Sequence, residues 1–363
     1  MQLLQCANLS KVDHLEENVK LYSSKKVFYN PAMQLCRSLS SLAVGAIGSK
    51  LDIADAFCAS GVRGIRYAKE NSNVKDITFV DIEPAAITLA KKNAKANGVQ
   101  ATAVKGNISK VAFDLSADFL EIDPFGTPSP YLVDAFRFFN PKKTAYLSVT
   151  ATDVAVLCGG KVSPCMKNYH SKPLNNEFTH EIGLRIMLKK IAEVASEFNM
   201  GIAPLVSFSD KHYLKSVIKV TRGADLAFAS LKKLGYISYD KKTGDRSFGQ
   251  FPLPGLDYAG ALWLGELHDK SFIKKMKKLN SKRNYSDQEE IEQMLCLMET
   301  EVGMPPYYYN IHHICKLRHL SQLPDMKTII ERVRKKGYKA FRTHFSKVSI
   351  KSDAPYKVIL EVF

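Results

Sequence analysis

The sequence predicts an α/β fold in which helices cover both faces of a mostly parallel, doubly wound sheet. Residues 51–150 alternate short apolar runs with helical segments, and this alternation is typical of parallel sheets. Apolar residues make up 45% of the 363-residue chain, enough for a sizeable core and two domains. In such sheets ligands bind at the carboxyl ends of the strands.

Five apolar runs predict the strands of this sheet. They are LDIADAFCA (51–59), VKDITFVDI (74–82), VQATAVKGN (99–107), ADFLEIDPF (117–125) and KTAYLSVTATD (143–153). GVRGIRYAKENS (61–72) predicts a turn leading into a helix. A second helix is predicted over residues 83–98, with Pro84 in its first turn and Gly98 as its C-cap.

The charge balance favours a polyanionic partner. The formal net charge is +16 and the pI is about 9.3, so nucleic acid is the leading class of partner. The alternative is a basic surface with no binding role. The N-terminal twenty residues lack an apolar run long enough for a signal peptide or a membrane span. Seven cysteines without a CxxC pair suit a reducing compartment, and we expect a cytoplasmic protein with no membrane association.

The basic residues are concentrated near the C-terminus. Residues 270–283 carry seven cations and no acid, and residues 332–342 carry six cations and no acid. We therefore predict a catalytic domain over residues 1–266 and a smaller, basic α+β domain over residues 267–363. Between the two clusters, Ser286 and Glu289 have the spacing of a helix capping box.

Eight side chains in these clusters are predicted to contact RNA phosphates. They are Lys274, Lys275, Lys277, Lys278, Arg334, Lys335, Lys336 and Arg342. A solvated helix face is the alternative for the lysines. Thr343 and His344 could touch RNA, cap or pack, and Tyr307, Tyr308 and Tyr309 could stack on RNA or pack at a domain junction.

A glycine-rich turn follows the first predicted strand. Gly61 and Gly64 would allow a tight turn and close approach of a ligand, and Asp81 and Glu83 follow the next strand where an acid could accept hydrogen bonds from ribose. Two glycines are fewer than a dinucleotide requires. Asp55 would repel a pyrophosphate but suit a cationic sulfonium or amino group. The balance favours S-adenosylmethionine.

The stretch EIDPFG (121–126) places Asp123 at the end of a predicted strand, in a proline-containing turn. Asp123 and the carbonyl of Pro124 could accept the two N–H groups of an amine attacking the methyl donor, and Phe125 could stack on a flipped base. The arrangement resembles the Asp/Asn-Pro-Pro-aromatic motif of amino-methyltransferases. The alternative is that Asp123 caps the following helix and Phe125 belongs to the core.

Several longer stretches resemble one family, the tRNA guanine-26 N2-dimethyltransferases. They are VFYNPAMQLCRSLS (27–40), DAFCASGVRGIRYAKE (55–70), EIDPFGTPSPYLVDAF (121–136), SVTATDVAVLCGG (148–160), HEIGLRIML (180–188), GALWLGELHD (260–269) and THFSKVSIKSDAP (343–355). The resemblance implies a class I (Rossmann-like) methyltransferase fold with a basic C-terminal domain that binds tRNA. It implies no obligatory protein partner.

The resemblance also implies roles for individual residues. Arg37, and Arg63 or Arg66, would contact the cofactor, Asp81 its ribose, and Asn107 with Ile108 its adenine. Asp123 would accept the guanine amino protons, and Phe28 with Phe125 would enclose the base. The implied reaction is the transfer of one and then a second methyl group to N2 of guanine 26.

The sequence departs from the family pattern in three places. Cys36-Arg37-Ser38 replaces the usual Asn-Arg-Asp, and Asn107 stands where Asp is common, although Asn can both donate and accept. Some relatives hold a cysteine-ligated zinc before the C-terminal domain, but residues 235–260 contain no cysteine. We therefore expect no metal.

Other functions remain open on the residues alone. The alternatives are methylation of another guanine or another RNA, methylation of a protein or small molecule, and non-catalytic RNA binding. His312 and His313 point in different directions, which favours a turn or a surface over a metal site, and Cys158 is interpreted as structural.

Overall fold

The computed structural model describes residues 12–139, 143–210, 212–320 and 324–363. The first eleven residues, including Cys6 and much of the stretch interpreted as lacking a signal peptide, lie outside these ranges. Among the described residues, no helix combines the length and apolar character needed to cross a bilayer.

Strands and α-helices alternate through the first half of the chain. The strands are β1 (His14–Glu16), β2 (Val19–Leu21), β3 (Leu51–Ala56), β4 (Val74–Asp81), β5 (Thr102–Lys105), β6 (Phe119–Ile122), β7 (Thr144–Ala151), β8 (Met200–Asp210), β9 (Tyr213–Arg222), β10 (Leu234–Tyr239), β11 (Arg246–Gly249), β12 (Asp257–Trp263), β13 (Tyr309–Asn310), β14 (Ala340–Thr343) and β15 (Ser346–Ser352). The helices are α1 (Gln34–Ile47), α2 (Val62–Glu70), α3 (Pro84–Ala96), α4 (Ile108–Val111), α5 (Leu132–Phe138), α6 (Val154–Leu157), α7 (Val162–Tyr169), α8 (Thr179–Glu197), α9 (Ala224–Leu231), α10 (Lys270–Asn280), α11 (Gln288–Glu301), α12 (Ile311–Leu317), α13 (Met326–Lys335) and α14 (Tyr356–Glu361).

The central sheet has seven strands in the order β5-β4-β3-β6-β7-β9-β8. The first five are mutually parallel, and β9 runs antiparallel to both β7 and β8. All five strands predicted from the apolar runs are present, and so is α3 with Pro84 in its first turn. The α/β prediction is confirmed. The order changes direction beside β3, so a crevice opens at the carboxyl ends of β3, β4 and β6.

Two layers of helices cover the sheet. One core cluster joins one face of the sheet to α1, α2, α3, α10 and α11, while the other joins the opposite face to α5 and α8 and continues into the C-terminal region. Strand β6 contributes to both clusters, because Phe119 packs in the first while Leu120 and Ile122 pack in the second. The strand is buried from both faces, as expected for a parallel sheet.

The predicted division at residue 267 does not coincide with a break in packing. Helix α10 packs against α1 and β8, and α11 packs against α10, so both belong to a helix layer of the central sheet. Their apolar faces explain this, because Phe272, Ile273 and Met276 of α10 are buried. The remaining C-terminal elements build a three-stranded antiparallel sheet, β13-β15-β14, whose core is continuous with that of the central sheet.

The predicted capping box at Ser286 is wrong. Helix α11 begins at Gln288 after Asp287, and no side chain caps its first turn. The Ser286 hydroxyl instead donates to Glu17, 2.9 Å away, and accepts from Gln34 at 2.6 Å. A tertiary contact with the N-terminal hairpin has therefore replaced the local one.

Arg246 joins the small sheet β11-β10-β12 to the C-terminal elements. Its side chain is fully buried, pairs with Glu177 at 2.6 Å and donates to the carbonyls of Tyr308 (2.7 Å) and Gly244 (2.7 Å). Rings surround the guanidinium, with centroids 4.6–5.5 Å from its central carbon. They are Phe178, Tyr239, Tyr309 and Tyr356. Tyr308 and Tyr309 are thus packing residues at this junction, since both are 1% exposed.

Replacing Arg246 by methionine should destabilise the protein by about 3–5 kcal/mol, because Glu177 would remain buried without its cation. Denaturant unfolding at equilibrium measures this change. Lys241→Met removes a cation from the same β10–β11 hairpin, where Lys241 is 67% exposed. That control should change the free energy of unfolding by less than about 1 kcal/mol, and an equal effect of the two variants would contradict the interpretation of Arg246.

Candidate functional site

A pocket lies in the crevice at the carboxyl ends of β4 and β5. It brings together three of the predicted cofactor residues, Asp81, Asn107 and Ile108. Five further residues complete its lining: Phe57, Val80, Ile82, Gly106 and Tyr131. None of these five was predicted from the sequence to bind the cofactor. All except Tyr131 lie within a few residues of the end of a predicted strand.

The pocket suits an adenosine group. Phe57, Ile82 and Tyr131 offer apolar surface for a flat ring, and the Phe57 and Tyr131 rings lie edge to face with centroids 4.7 Å apart. Asn107 uses its side-chain oxygen to cap α4 through the Ser109 N–H (2.9 Å), which leaves its amide N–H groups as donors. A nucleobase needs such an apolar slot with a few polar groups.

Asp81 holds the turn between strand and pocket. One carboxylate oxygen accepts from the Ala59 N–H and the other from the Glu83 N–H, both at 3.0 Å. Each oxygen keeps a second lone pair for a ribose hydroxyl. Glu83 itself is exposed at the start of α3 and does not line the pocket, so the structure favours Asp81 over Glu83 as the ribose acceptor.

The glycines after β3 serve packing. Gly61 has φ +74°, and a β-carbon there would lie 3.0 Å from the Ala90 β-carbon. A β-carbon at Gly64 would lie 2.7 Å from the Phe79 ring. The glycines therefore let α2 approach α3 and β4 closely, and this differs from the predicted role of Gly61 in direct approach to a ligand.

Asp55 lies beneath this turn at the end of β3. It is 2% exposed and accepts a hydrogen bond from the Gly64 N–H at 3.1 Å. Burial and the nearby charge of Glu121 raise its pKa to about 7, although Arg63 opposes the shift. A cationic group placed beside Asp55 would favour the ionised carboxylate and lower this pKa.

Asp123 stands at the carboxyl end of β6, in a turn braced from β7. The Gly126 N–H donates to the Thr152 hydroxyl (2.8 Å), and the Thr152 N–H donates to the Gly126 carbonyl (3.0 Å). Helix α5 begins only at Leu132 and has no side-chain cap, so the alternative in which Asp123 caps this helix is excluded. Phe125 is 80% exposed, which excludes the alternative that it belongs to the core.

Arg63 is the cation that meets Asp123. Its Nη2 donates to Asp123 Oδ2, and its Nη1 donates to the Ser40 hydroxyl at 3.3 Å. The arginine side chain is 7% exposed and that of Asp123 is 22% exposed. Because Oδ2 is engaged by Arg63, Oδ1 remains to accept from an amino group.

The two predicted stacking rings lie at the mouth of the site. Phe28 is 55% exposed, and its ring meets that of Phe125 edge to face, with centroids 5.0 Å apart. A base stacked on both rings needs them roughly 7 Å apart, twice the usual contact distance between stacked ring planes. A sandwiched base therefore requires the rings to separate, and exposed Phe125 is free to turn.

Arg37 and Arg66 do not face the pocket. Both guanidinium groups bind the buried Glu16 of the N-terminal hairpin, Arg37 at 2.7 Å and Arg66 at 3.1 Å. Arg66 is fully buried and also pairs with Glu70. The prediction that these two arginines contact the cofactor does not fit this placement, because their charge is already matched internally. Of the three candidate arginines, the structure brings only Arg63 to the site.

The predicted RNA-binding cations differ in whether their side chains have partners within the protein. Lys274, Lys275, Lys278 and Lys335 are exposed, with no hydrogen bond or ion pair from their side-chain nitrogens to the described residues. The others have internal partners. Lys277 pairs with Glu299 at 3.2 Å, Lys336 with Glu361 at 2.5 Å, and Arg334 and Arg342 donate to the carbonyls of Ala340 and Lys347.

Thr343 and His344 are packing residues. The Thr343 hydroxyl (2.7 Å) and His344 Nδ1 (2.9 Å) both contact Glu301, and both residues have buried side chains. Of the alternatives that the sequence left open, the structure therefore favours packing for both residues. Glu301, His344 and His268 lie within 4.8 Å of one another, a spacing that could hold a metal ion.

Hydrogen bonds satisfy part of this cluster, while Nε2 of His268 and Nε2 of His344 are buried without a hydrogen-bond partner among the described residues. Glu301 Oε1 accepts from the Thr343 hydroxyl and the His344 N–H, and His268 Nδ1 faces the Ser207 N–H at 3.4 Å. Since that contact uses the Nδ1 lone pair, the proton of neutral His268 lies on Nε2, directed at Glu301. Burial lowers the pKa of His268 to about 4, so this neutral form is the one present.

The strand order, the adenosine-shaped pocket and the carboxylate at the end of β6 define a class I methyltransferase. A sequence model of the family described as N2,N2-dimethylguanosine tRNA methyltransferase matches residues 9–363. The chain belongs to this family, and the resemblance found in its sequence is confirmed.

Individual relatives agree with this assignment. A tRNA (guanine(26)-N(2))-dimethyltransferase of Thermococcus kodakarensis is 35% identical over 356 residues, covering 93% of this chain and 92% of the relative. That of Methanobrevibacter smithii is 32% identical, covering 94% and 92%. The structure of Trm1 from Pyrococcus horikoshii with S-adenosyl-L-methionine superposes with a TM-score of 0.89 and 30% identity, covering 96% of this chain and 98% of that one.

Asp55→Asn should stabilise the protein increasingly as pH rises from 5 to 8. The pKa of Asp55 is raised from its usual 3.8 to about 7, so its contribution to stability is present below 3.8 and is lost as pH rises through 7. Between pH 5 and pH 8, the free energy of unfolding of the variant should rise by about 2–3 kcal/mol relative to that of the native protein. Thermal unfolding at a series of pH values measures the gain, and a pH-independent difference would contradict it.

Proposed function

We propose that this protein transfers methyl groups from S-adenosylmethionine to N2 of guanine 26 in tRNA, first one and then a second. The observation that carries the proposal is the position of Asp123, at the strand end beside the adenosine-shaped pocket and below two exposed rings. Family membership and full-length relatives with this activity support it.

The cofactor would lie along the carboxyl ends of β3, β4 and β5. Asn107 and Ile108 would hold the adenine and Asp81 the ribose, while Asp55 would face the cationic end of the methionine. When bound, S-adenosylmethionine supplies an electrophilic methyl group. Each of these residues would bind or orient the cofactor. The residues of the turn after β6 would act on the attacking amine.

Asp123 would act on the amino group of the flipped guanine. This nitrogen is a poor nucleophile because its lone pair is delocalised into the ring. Oδ1 of Asp123 and the carbonyl of Pro124 would accept its two N–H groups. One proton would pass to Asp123 as the N–C bond forms and the S–C bond of the donor breaks, which leaves a neutral thioether. Arg63 keeps Oδ2 engaged and so fixes the orientation of the carboxylate.

Phe28 and Phe125 would enclose the base after they separate. Stacking on aromatic rings offsets part of the cost of removing guanine from the RNA stack. For the second transfer, the methylated amine must rotate to present its remaining N–H, which requires room for one methyl group beside Asp123. Rotation of the exposed Phe125 ring would provide that room.

The basic C-terminal surface would bind the tRNA backbone. The four exposed, unpaired lysines are the strongest candidates because phosphate can bind them without breaking an internal ion pair. Methylation of another guanine or another RNA is the alternative that uses the same site, and a nucleoside analysis of the product decides between them.

Asp123→Asn should lower kcat by about 10²–10⁴-fold, because an amide cannot take up the proton. The assay uses labelled S-adenosylmethionine and tRNA, with the modified nucleoside identified by mass. Asp76→Asn, an exposed carboxylate near the start of β4, is the control and should keep native activity. Undiminished methylation by Asp123→Asn would contradict the catalytic role of Asp123. Undiminished methylation of a tRNA with adenine at position 26 would contradict the assignment of guanine 26 as the methylated nucleotide.

The paired variant Lys274→Ala/Lys275→Ala should weaken tRNA binding and reduce the slope of log K against log salt by about 1–2. Titrations at several salt concentrations measure this. Lys50→Ala/Lys75→Ala removes the same charge from residues just before β3 and early in β4, and should leave the slope unchanged. Equal slopes for both variants and the native protein would exclude these lysines from the RNA interface.

A further inference from the structure

A line of buried charges runs below the catalytic end of β6. Glu121 stands two residues before Asp123, so both side chains project from the same face of the sheet. Lys215 extends from β9 to meet Glu121, and the side chains of this pair are fully buried. Neither residue lines the adenosine pocket or touches the stacking rings.

Glu121 has one hydrogen-bonding partner for each oxygen. The Lys215 ammonium donates to Oε1 and the Tyr67 hydroxyl donates to Oε2 at 2.7 Å. Lys215 donates again to the Thr150 hydroxyl at 2.9 Å, which fixes the position of its ammonium group. Together these contacts satisfy and neutralise the buried carboxylate.

Arg63 lies between this buried pair and Asp123. Its Nε forms a long ion pair with Glu121 Oε1 at 3.8 Å, without a hydrogen bond, whereas its Nη2 is hydrogen-bonded to Asp123. Two carboxylates therefore compete for one guanidinium group. Because Lys215 already neutralises Glu121, Arg63 is left to Asp123.

We propose that Lys215 is a positioning residue for methyl transfer, which acts through Glu121 and Arg63 to hold the Asp123 carboxylate in its reactive orientation. Without the lysine charge, the buried Glu121 would draw Arg63 into a direct ion pair, since a buried carboxylate without a cation is strongly disfavoured. Asp123 would then lose the bond that fixes Oδ2. This inference rests on the proposed role of Asp123.

Replacement of Lys215 and replacement of Glu121 should change kcat to different extents. Lys215→Met should lower kcat at least about tenfold with little change in KM for S-adenosylmethionine, because misorientation of a reacting group costs rate. Glu121→Gln removes the competing carboxylate and leaves Lys215 buried without its anion, so stability should fall, but Arg63 stays with Asp123 and kcat should fall less than in Lys215→Met. The double variant should behave like Glu121→Gln.

A purely structural ion pair predicts another pattern, in which removing either charge damages stability and activity alike. Loss of kcat in Glu121→Gln to the same extent as in Lys215→Met would therefore overturn the proposal, as would native kcat in Lys215→Met. If Lys215→Met does not fold, Lys215→Gln takes its place, because it keeps a donor to Glu121 without the charge.

Lys351→Met is the matched control. Lys351 forms a comparably buried pair with Glu181 (2.6 Å) away from Asp123, so this variant should lose stability and keep kcat. Asp123→Asn in the same assay separates the two hypotheses. If Asp123→Asn keeps its activity, the proposed catalytic role of Asp123 fails, and the present inference fails with it. If it loses activity while Lys215→Met does not, only the present inference fails.

Discussion

The bond between Arg63 and Asp123 is the interaction on which the site depends. It joins the helix that follows the glycine turn to the strand that carries the reactive carboxylate, and both elements are fixed from below by buried groups. The pocket lined by Asp81 and Asn107 and the exposed ring of Phe125 belong to the same edge of the sheet as this bond. Moving Arg63 would therefore disturb the geometry of both halves of the site.

The fold could be predicted from sequence because its signals are local. Five apolar runs became five parallel strands, and Pro84 marked the first turn of α3, since backbone preferences and burial act together in these segments. The capping box at Ser286 failed for the opposite reason. Its side chain found partners in Glu17 and Gln34, which are distant in sequence, and no local pattern reports such contacts.

The candidate site was predicted in part. Asp81 ends β4, Asn107 and Ile108 follow β5, and Asp123 follows β6. Parallel strands bring their carboxyl ends to one edge, so the meeting of Asp81, Asn107 and Ile108 in one pocket follows from topology. The arginines could not be ranked in this way. Arg37 and Arg66 are held by Glu16, a residue on a hairpin whose packing the sequence does not reveal, and only the three-dimensional arrangement distinguishes them from Arg63.

The packing around Arg246 bears on which nucleotide of a bound RNA would reach Asp123. The C-terminal sheet and the central sheet share one packed interior, so the basic surface cannot shift relative to Asp123 without breaking that packing. Under the proposed function, the distance between the phosphate-binding lysines and the Asp123 carboxylate would therefore be fixed. A guanine would then be selected by its distance along the folded RNA from the bound phosphates, more than by the surrounding base sequence.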